Sequence, residues 1–435
     1  MKLAHWVLIA LAAALLPLFT SVPANASDFI LLAQADPTVD LIGAELFVPA
    51  GLDRQTPSQN GLAALVAECI LQTSVGAPAG ERVTLRDAVD AEGGSIDYAL
   101  DGQNVRFYLE GLGLTYSRAL LPAFRRALAA PDFGEAARKA ARLELRRRMD
   151  ADAVNTLAVA LGMLGPAFYG DSDAGLPQFG TVAAQLQFTG EDARAFFVAH
   201  YRRGGAVLSA AGNVGSLGAG DLRTLVEALR EGSSPVAFVH PRPLSGTSRQ
   251  VVAHRDVALP WLVAQYHAPG IDSPDFGAML VLTAFMSRTL SERAEIPSVS
   301  VLDPAQKTTG AMYRFDTQPA SVVLSIDGGL GDPSRTFATA VAIANVLKRV
   351  RIERGMNLLR AGALGYFTSR TATLEERARV AGIFALHGSG ADYFKRVSAA
   401  IAKTTASDVQ RAAKRYLTHP TVALVLPRGA PGPAL

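Results

Sequence analysis

Histidine is the residue type in this sequence best suited to bind a metal ion, and its spacing decides whether a compact site can form. A helical zinc site typically places two histidines four positions apart, so that both imidazoles lie on one face of the helix. No two histidines here have that spacing. They are scattered along the chain: His5, His200, His240, His254, His267, His387 and His419. A zinc site built from them would require long-range assembly in the folded protein.

Other catalytic motifs are also missing from the sequence. It contains no G-x-S-x-G nucleophile elbow, no phosphate-binding loop and no dinucleotide-binding fingerprint; GGLGDP at 328–333 lacks the required glycine spacing and is typical of a turn before a helix. The only cysteine, Cys69, cannot form an internal disulfide and lies on the apolar side of a helical pattern. We therefore expect a buried, inert thiol rather than a nucleophile.

The first 26 residues have the pattern of a cleaved secretory signal. Lys2 precedes an apolar run from Trp6 to Phe19, which Pro17 interrupts, and a small-residue box follows at 24–26. Residues 1–26 are therefore predicted to be removed, and the mature protein is predicted to be periplasmic or secreted. No later segment has the roughly 18 consecutive apolar residues of a spanning helix, so we expect no membrane anchor in the mature chain.

Composition indicates a folded protein of more than one domain. With 435 residues, 49% of them hydrophobic and 19% charged, the chain exceeds one ordinary core and suits two domains of about 200 residues each. The net charge of +3 is small. The one basic concentration, RLELRRRMD at 142–150, mixes signs and contains no interleaved aromatic residues, which is typical of a solvated helix face. We expect no nucleic-acid partner.

The first half of the chain predicts strands and helices in a mixed order. LIGAELFVPAG at 41–51 predicts a strand, and GLAALVAECIL at 61–71 predicts a helix. The alternating runs SIDYAL and NVRFYLE flank Asp101-Gly102, which is a strong hairpin signal. Helices are then predicted over 114–130 and 135–164, ended by Pro131 and by Gly165-Pro166, and a strand over 206–212.

The second half repeats this order after a change in composition. Residues 231–250 are rich in Pro, Ser and Gly and are the predicted linker. Strands are predicted within 257–268, over 321–329 and over 421–427, with helices over 276–293 and from 332 to about 416. We infer an internal duplication, with domains at 27–230 and 251–435. The fold class is α+β: each domain has a mixed, mostly antiparallel sheet with helices packed on one face.

Several phrases, in this order and spacing, resemble the insulinase/pitrilysin family of zinc peptidases, the inverted zincins and their processing-peptidase-like relatives. The resemblance covers nearly the whole mature chain. The phrases that carry it are GLAALVAECIL (61–71), AEGGSIDYALDGQNVRFYLEGL (91–112), FYGDSDAGLPQFGTVAAQLQFTGEDARAFFVAHYRRGGAVLSAAGNV (168–214), APGIDSPDFGAMLVLTAFMSRTLSERA (268–294) and ASDVQRAAKRYLTHPTVALVLP (406–427).

The resemblance implies a zinc site that this sequence lacks. The family uses H-x-x-E-H on its first long helix, and alignment on Gly61 places Ala64 and Glu68 at the two histidine positions and Ala67 at the general-base position. An alanine methyl group neither binds zinc nor accepts a proton from water. Glu144 lies in a plausible place for the family's third ligand. We expect Glu68 and Glu144 to be solvated surface carboxylates rather than relic ligands, and zinc only in an active partner.

The resemblance also implies substrate-holding residues in the second half of the chain. In family members that act as two subunits or two halves, an arginine after the long helix and a tyrosine seven residues later hold the substrate backbone. Here Arg293 lies at the arginine position, but Ser300 lies at the tyrosine position. Tyr313, in GAMYRF, is a candidate substitute for that tyrosine. Arg293 also suits a solvated helix end, where a cation interacts favourably with the helix dipole.

These observations lead to three functional hypotheses. The leading one is a zinc-less, non-catalytic homologue that acts on extended peptides as the partner subunit of an active, zinc-bearing metallopeptidase of the same family. The second is a stand-alone peptide-binding or scaffold protein. The third is a metallopeptidase with a rearranged zinc site built from Glu68, Glu144 and histidines, and the alanine at the general-base position makes it the weakest.

Overall fold

The computed structural model describes residues 19–20, 29–76, 83–170, 172, 175–217, 220–229, 248–293, 309–315, 317, 319–327, 333–349, 352–387 and 392–430. The strands are β1 Phe19–Thr20, β2 Phe29–Ala35, β3 Leu41–Val48, β4 Ser95–Leu100, β5 Val105–Leu112, β6 Ala206–Gly212, β7 Arg249–Arg255, β8 Trp261–His267, β9 Gly310–Arg314, β10 Ser321–Asp327 and β11 Thr421–Pro427.

Among the described residues, helices outnumber strands in both halves. They are α1 Leu62–Leu71, α2 Leu85–Ala91, α3 Leu121–Ala129, α4 Glu135–Val154, α5 Thr156–Tyr169, α6 Val182–Gln187, α7 Gly190–His200, α8 Asp221–Glu227, α9 Phe276–Arg293, α10 Pro333–Arg349, α11 Met356–Ser369, α12 Leu374–Leu386, α13 Tyr393–Lys403 and α14 Ala406–Tyr416. Shorter helical turns are Leu52–Arg54, Pro57–Gln59, Gly113–Thr115, Tyr116–Leu120 and Val214–Ser216.

The strands form two mixed sheets that share one strand order. The first sheet runs β1-β2-β6-β3-β5-β4 and the second β7-β11-β8-β10-β9. Apart from β1, the strand that comes first along the chain in each sheet pairs in parallel with the strand that comes last: β2 with β6, and β7 with β11. All other neighbouring strands are antiparallel. The predicted α+β class, with two similar and mostly antiparallel sheets, is confirmed. The shared strand order supports the inferred duplication.

Each sheet is covered on one face by helices of its own half. On β3, Ile42, Leu46 and Val48 belong to the same hydrophobic core as α1. On β8, Leu262 and Tyr266 belong to a second core with α9, α10 and α14. This is the predicted layer arrangement, in which alternate strand residues bury one apolar face against helices.

The opposite face of each sheet is covered by a helix from the other half. From the second half, α12 packs on β3 and β6, and from the first half α5 packs on β7, β8 and β11. Phe47 on β3 belongs to the core that contains Ile383 of α12, whereas Leu164 of α5 packs with Val263 and Val425. Both faces of each sheet are therefore covered by helices, which explains why β3 is buried over seven of its eight residues. Each half thus contributes one helix that packs on the sheet of the other half.

Two predicted boundaries differ from the structure. The helix predicted over 135–164 is two helices, α4 and α5, bent by 99° at Asn155, whose side chain accepts a hydrogen bond from the Ala158 backbone N–H and caps α5. The helix stop predicted at Gly165-Pro166 is wrong, because α5 continues through Pro166 to Tyr169. No described helix alone has the length and apolar character of a membrane span, and only this bent pair meets both criteria together.

Several predicted segments lie outside the described residues. These include most of the predicted signal, of which only Phe19 and Thr20 are described, as a short strand paired with β2. Residues 231–247 of the predicted linker are also outside, and its last residues, Arg249 and Gln250, begin β7. The division into residues 27–230 and 251–435 stays a prediction.

A buried ion pair lies where α12 covers the first sheet. Glu45 on β3 is 3% exposed, and its Oε1 accepts a hydrogen bond from Arg106 Nη1 at 2.6 Å. Burial raises the pKa of Glu45 from 4.5 to about 7, because the loss of hydration outweighs the attraction of Arg106 and of Arg379 on α12. Nearby Glu375, also on α12, has a raised pKa through burial and the adjacent charge of Glu376. The raised pKa values of both carboxyl groups predict that the packing of α12 on the first sheet responds to pH.

The first testable prediction concerns Glu45. Since its folded pKa is raised, the folded protein retains a proton that the unfolded chain has lost between pH 4.5 and about 7. The contribution of Glu45 to stability is therefore fully present below about pH 4.5 and is lost as the pH rises to 7. Glu45→Gln should remove this loss. The free energy of unfolding of the variant, relative to that of the wild type, should therefore be higher at pH 7 than at pH 4.5, by on the order of 2 to 3 kcal/mol.

Urea unfolding of both proteins at pH 4.5, 5.5 and 7 measures this difference. The matched control is Glu92→Gln, which removes an exposed carboxyl group from the first half. If the stability difference between wild type and Glu45→Gln is the same at all three pH values, Glu45 does not titrate in this range and the prediction is wrong.

Candidate functional site

The helix that aligns with the catalytic helix of the zinc peptidases, α1, begins at a glycine held by two glutamines. Gly61 has φ of 99°, a left-handed conformation that favours glycine, and a Cβ there would lie 2.7 Å from Gln185 Nε2. Gln55 Oε1 accepts hydrogen bonds from the backbone N–H groups of Gly61 and Ala63, and Gln185 Nε2 donates to Gly61 O at 2.8 Å. These contacts satisfy backbone groups at the helix start and fix its position.

All ten residues of α1 are buried, including the three at the zinc-motif positions. Ala64 and Ala67 are fully buried, and the Tyr98 hydroxyl on β4 donates to the Ala64 carbonyl at 3.5 Å. The two methyl groups thus form part of the core and supply no metal ligand. Cys69 is also fully buried, and burial raises the pKa of its thiol to about 12. The expectation that the thiol is buried is confirmed, and its inertness stays a prediction.

Glu68 is the one charged residue of α1, and it is fully buried. Its Oε1 accepts from Gln72 Nε2 at 3.1 Å and from Arg86 Nη2 of α2 at 3.3 Å. Its Oε2 lies 3.8 Å from Arg148 Nη2 of α4. Burial raises the pKa of Glu68, and the charges of Arg86 and Arg148 oppose that shift. The carboxylate is therefore held inside the protein by two guanidinium groups.

Arg148 is the centre of this cluster. Its Nη2 lies 2.5 Å from Asp97 Oδ1 on β4, and its Nε lies 3.5 Å from Glu144 Oε1 on its own helix. Its guanidinium carbon lies 4.8 Å from the centre of the Tyr98 ring, within the range of a cation–π contact. One arginine thus contacts the carboxylates of Glu68, Asp97 and Glu144, and its side chain is only 20% exposed.

This arrangement does not fit a zinc ion of the kind the family uses. The two aligned ligand positions that carry carboxylates here, Glu68 at a histidine position and Glu144 at the third-ligand position, face the guanidinium of Arg148 instead of converging on an open space. Within the described ranges, no group of three or more His, Cys, Asp or Glu side chains is placed to hold a metal ion. The positive charge between the carboxylates therefore comes from the protein's own side chain, and no hydrolytic step follows from these residues.

The structure corrects the expectations for both glutamates. The prediction that Glu68 is a surface carboxylate is wrong, because an apolar helix bordered by α2, α4 and β4 can bury a charge when cations on its neighbours compensate it. Glu144 is half-buried, with 26% of its side chain exposed, and pairs with Arg147 and Arg148 rather than with water alone.

Three members of the site, Arg86, Asp97 and Arg148, were not predicted from the sequence. The available signal was the i, i+4 spacing of Glu144 and Arg148, which predicts contact on one helix face. The basic run at 142–150 is only partly solvated. Arg147 is 70% exposed, but Arg148 points inward and Arg142 donates to the carbonyls of Gln185 and Phe188.

A sheet edge lies beside this cluster. Strand β4 is paired with β5 only, among the described strands, and it carries both Asp97 and Tyr98. Its residues alternate, with Ile96, Tyr98 and Leu100 buried in the core. A further strand could add at this edge only beside the remaining backbone groups of β4, because the Tyr98 N–H already donates to Asp97 Oδ1 at 2.8 Å and the Leu100 carbonyl accepts from Gln178 at 3.5 Å.

The candidate substrate-holding residues of the second half are not brought together in the described structure. Arg293 is the last residue of α9, where only its backbone is described, and Ser300 lies outside the described residues. Tyr313 on β9 is 4% exposed, and its hydroxyl donates to the Pro269 carbonyl. The interpretation of Tyr313 as a substitute for the substrate-holding tyrosine is therefore wrong, because its polar atom faces the core.

Comparison with known proteins supports the fold. No protein-family model matches this sequence, and no curated protein matches it significantly. A protease from Helicobacter pylori superposes with a TM-score of 0.74 at 14% identity, covering 95% of this chain and 100% of that one. A peptidase M16 inactive domain from Pseudomonas fluorescens gives 0.74 at 15%, covering 96% and 100%. A chain of complex III2 from Candida albicans gives 0.70 at 14%, covering 94% and 95%.

The chain therefore has the two-domain fold of M16-like peptidases, and the predicted resemblance to insulinase-like zinc peptidases is confirmed at the level of the fold. Its residues at the zinc-motif positions are two buried alanines and a glutamate paired with arginine. The class defined by fold and site is thus a peptidase-like scaffold with an arginine-centred ion cluster in place of the expected ligand set.

Proposed function

We propose that this protein is a non-catalytic, zinc-less member of this peptidase class and acts as the partner subunit of an active, zinc-bearing M16-like metallopeptidase on extended peptides. We place it in the periplasm or outside the cell, following the predicted signal. The observation that carries the proposal is the combination of an available edge strand, β4, with a neighbouring cluster that contains no water-activating group.

Strand β4 supports the binding of an extended peptide. A peptide added beside β4 would gain main-chain hydrogen bonds that do not depend on its side chains, and its side chains on the outer face of the sheet would lie beside Ser95, Asp97 and Ala99. Asp97 Oδ1 is held by Arg148, so the strand presents a fixed charge beside its edge. Such a strand would select a peptide for its extended conformation more than for its amino-acid sequence.

A partner is required because this chain offers binding without chemistry. Hydrolysis of a peptide bond needs an activated water, and neither buried alanine can activate one. Two structural neighbours bear on this point: one is described as an inactive M16 domain, and another is a chain of a multi-chain complex. These two descriptions support the proposal that a chain with this fold can be inactive and that a chain with this fold can be part of an assembly.

The experiment is a reconstitution of cleavage. The purified mature chain is assayed for zinc content and for cleavage of a fluorogenic peptide of about ten residues, alone and with a zinc-bearing M16-like peptidase from the same genome. We expect no cleavage by the chain alone and an increase of at least tenfold over the partner alone in the mixture. A peptide N-methylated at alternate residues, which cannot add to a strand edge, is the matched control.

Each outcome distinguishes one hypothesis. Stoichiometric zinc and cleavage by the chain alone would contradict the proposal and favour a rearranged metal site. Tight binding of the unmodified peptide, without any effect on a partner's rate, would favour a stand-alone peptide-binding protein. Loss of the rate increase with the N-methylated peptide would support strand addition.

A further inference from the structure

A cavity of about 500 Å³ lies in the second half, between α10 and the end of the second sheet where β8 ends and β7 and β11 begin. Its volume is within the range of small-molecule sites, about 300–1,000 Å³. The wall from α10 is one stripe of that helix, because Phe337, Val341 and Ala344 lie four and three residues apart. Tyr266 on β8 and Leu417 after α14 complete the apolar part of the wall. An apolar molecule bound here would bury much of its surface.

Charge does not define this cavity. Arg249 begins β7 at the rim, but its guanidinium donates to the Ala167 carbonyl of α5, which packs on the opposite face of the second sheet. Lys348, at the end of the α10 stripe, donates from Nζ to Asn345 Oδ1 at 3.3 Å. The described wall includes no Asp or Glu. We therefore expect an uncharged ligand, because a charged group loses more hydration on burial than such a wall returns.

The polar feature of the inner wall is the hydroxyl group of Tyr266. Tyr266 is 2% exposed and shares with Leu262 and Ala264 the face of β8 that packs in the core with α10. Its hydroxyl forms no hydrogen bond with the described residues, and it is not among the fully enclosed polar atoms, so it faces the open space of the cavity. Burial raises the pKa of Tyr266, so the hydroxyl keeps its proton at neutral pH. A donor in this position favours a ligand that brings an acceptor.

From this geometry we propose that the cavity binds an uncharged, largely apolar molecule that carries a carbonyl group, with its apolar part against Phe337 and Val341 and its carbonyl oxygen at the Tyr266 hydroxyl. The class includes ketones, esters and neutral amides. An apolar molecule without an acceptor would displace water from the hydroxyl and leave it unpaired, which costs binding free energy. The cavity is in the second half, whereas the arginine-centred cluster is in the first, and the inference does not depend on the proposed function.

The test is equilibrium dialysis of the full mature chain at pH 7 against compounds of similar size: 2-acetylnaphthalene, 2-ethylnaphthalene and 2-naphthoate. We expect 2-acetylnaphthalene to bind one per chain with a Kd on the order of 100 µM. The carboxylate should bind at least about tenfold more weakly, because the cavity does not replace its hydration. Tighter binding of 2-naphthoate than of 2-acetylnaphthalene would overturn the proposal, and so would failure of 2-acetylnaphthalene to bind.

Variants locate the site and its hydrogen bond. Tyr266→Phe keeps the ring, and it should weaken binding of 2-acetylnaphthalene at least about fivefold while leaving 2-ethylnaphthalene, which has no acceptor, unchanged or tighter. The matched control, Tyr366→Phe, removes a hydroxyl that donates to the Ala311 carbonyl at 2.8 Å outside this cavity and should change neither. Val341→Phe, which fills the cavity, should weaken both at least about tenfold. Equal effects of Tyr266→Phe on the two compounds, or undiminished binding by Val341→Phe, would overturn the assignment.

Discussion

Gly382→Ala is expected to unfold at a markedly lower denaturant concentration than the wild type, although alanine is the better helix former. Gly382 lies within α12, where it faces β3 of the first sheet, and a Cβ there would lie 2.2 Å from Phe47 Cε2. Phe47 is 1% exposed, so its ring has no open space to enter. Overpacking of this kind typically destabilises by about 1–3 kcal/mol. The effect should exceed the gain in helix propensity of up to about 1 kcal/mol.

Two further variants separate packing from helix propensity. Gly362→Ala on α11, where an added Cβ meets no atom within 4 Å, should leave stability unchanged or raise it slightly. Phe47→Leu should recover part of the loss, so that the double variant is more stable than the sum of the single changes predicts. Additive losses would mean that Gly382 and Phe47 are not in contact, and the described packing of α12 on the first sheet would be wrong.

The second large effect is expected from Arg148→Met. Removing this guanidinium leaves the buried carboxylate of Glu68 with Arg86 as its only cationic contact among the described residues, and removes a partner from Asp97 and Glu144. Loss of one partner from a buried ion pair typically destabilises by 3–5 kcal/mol. Because Arg86 remains, we expect a loss of about 2–3 kcal/mol, measured by urea unfolding at pH 7.

A double-mutant cycle tests the cause. Glu68→Gln removes the buried charge, so Arg148→Met in that background should be less harmful by at least about 1 kcal/mol. The matched control is Arg147→Met, adjacent in sequence but 70% exposed, which should change stability by less than about 0.5 kcal/mol. Equal losses for Arg147→Met and Arg148→Met would show that Arg148 does not hold a buried charge.

Much of the fold could be predicted from local patterns. The hairpin around Asp101-Gly102, the helix Phe276–Arg293 and the strand Thr421–Pro427 were each indicated by alternation, apolar run or turn residues, and each is present. The break at Asn155 was missed. An asparagine inside an apolar helical pattern is weak as a stop signal, and its capping role emerges only when α5 turns to cover the second sheet.

The sequence by itself determined that α1 carries no histidine pair and no general base, since Ala64 and Ala67 cannot bind zinc or activate water in any fold. It also determined the repeated order of strands and helices. Only the tertiary structure decided that Glu68 is buried and compensated, because Arg86 and Arg148 are 18 and 80 residues away and reach it only when α2 and α4 pack beside α1. Whether a carboxylate can be buried depends on which cationic partners folding brings within about 4 Å, and spacing along the chain does not encode that distance.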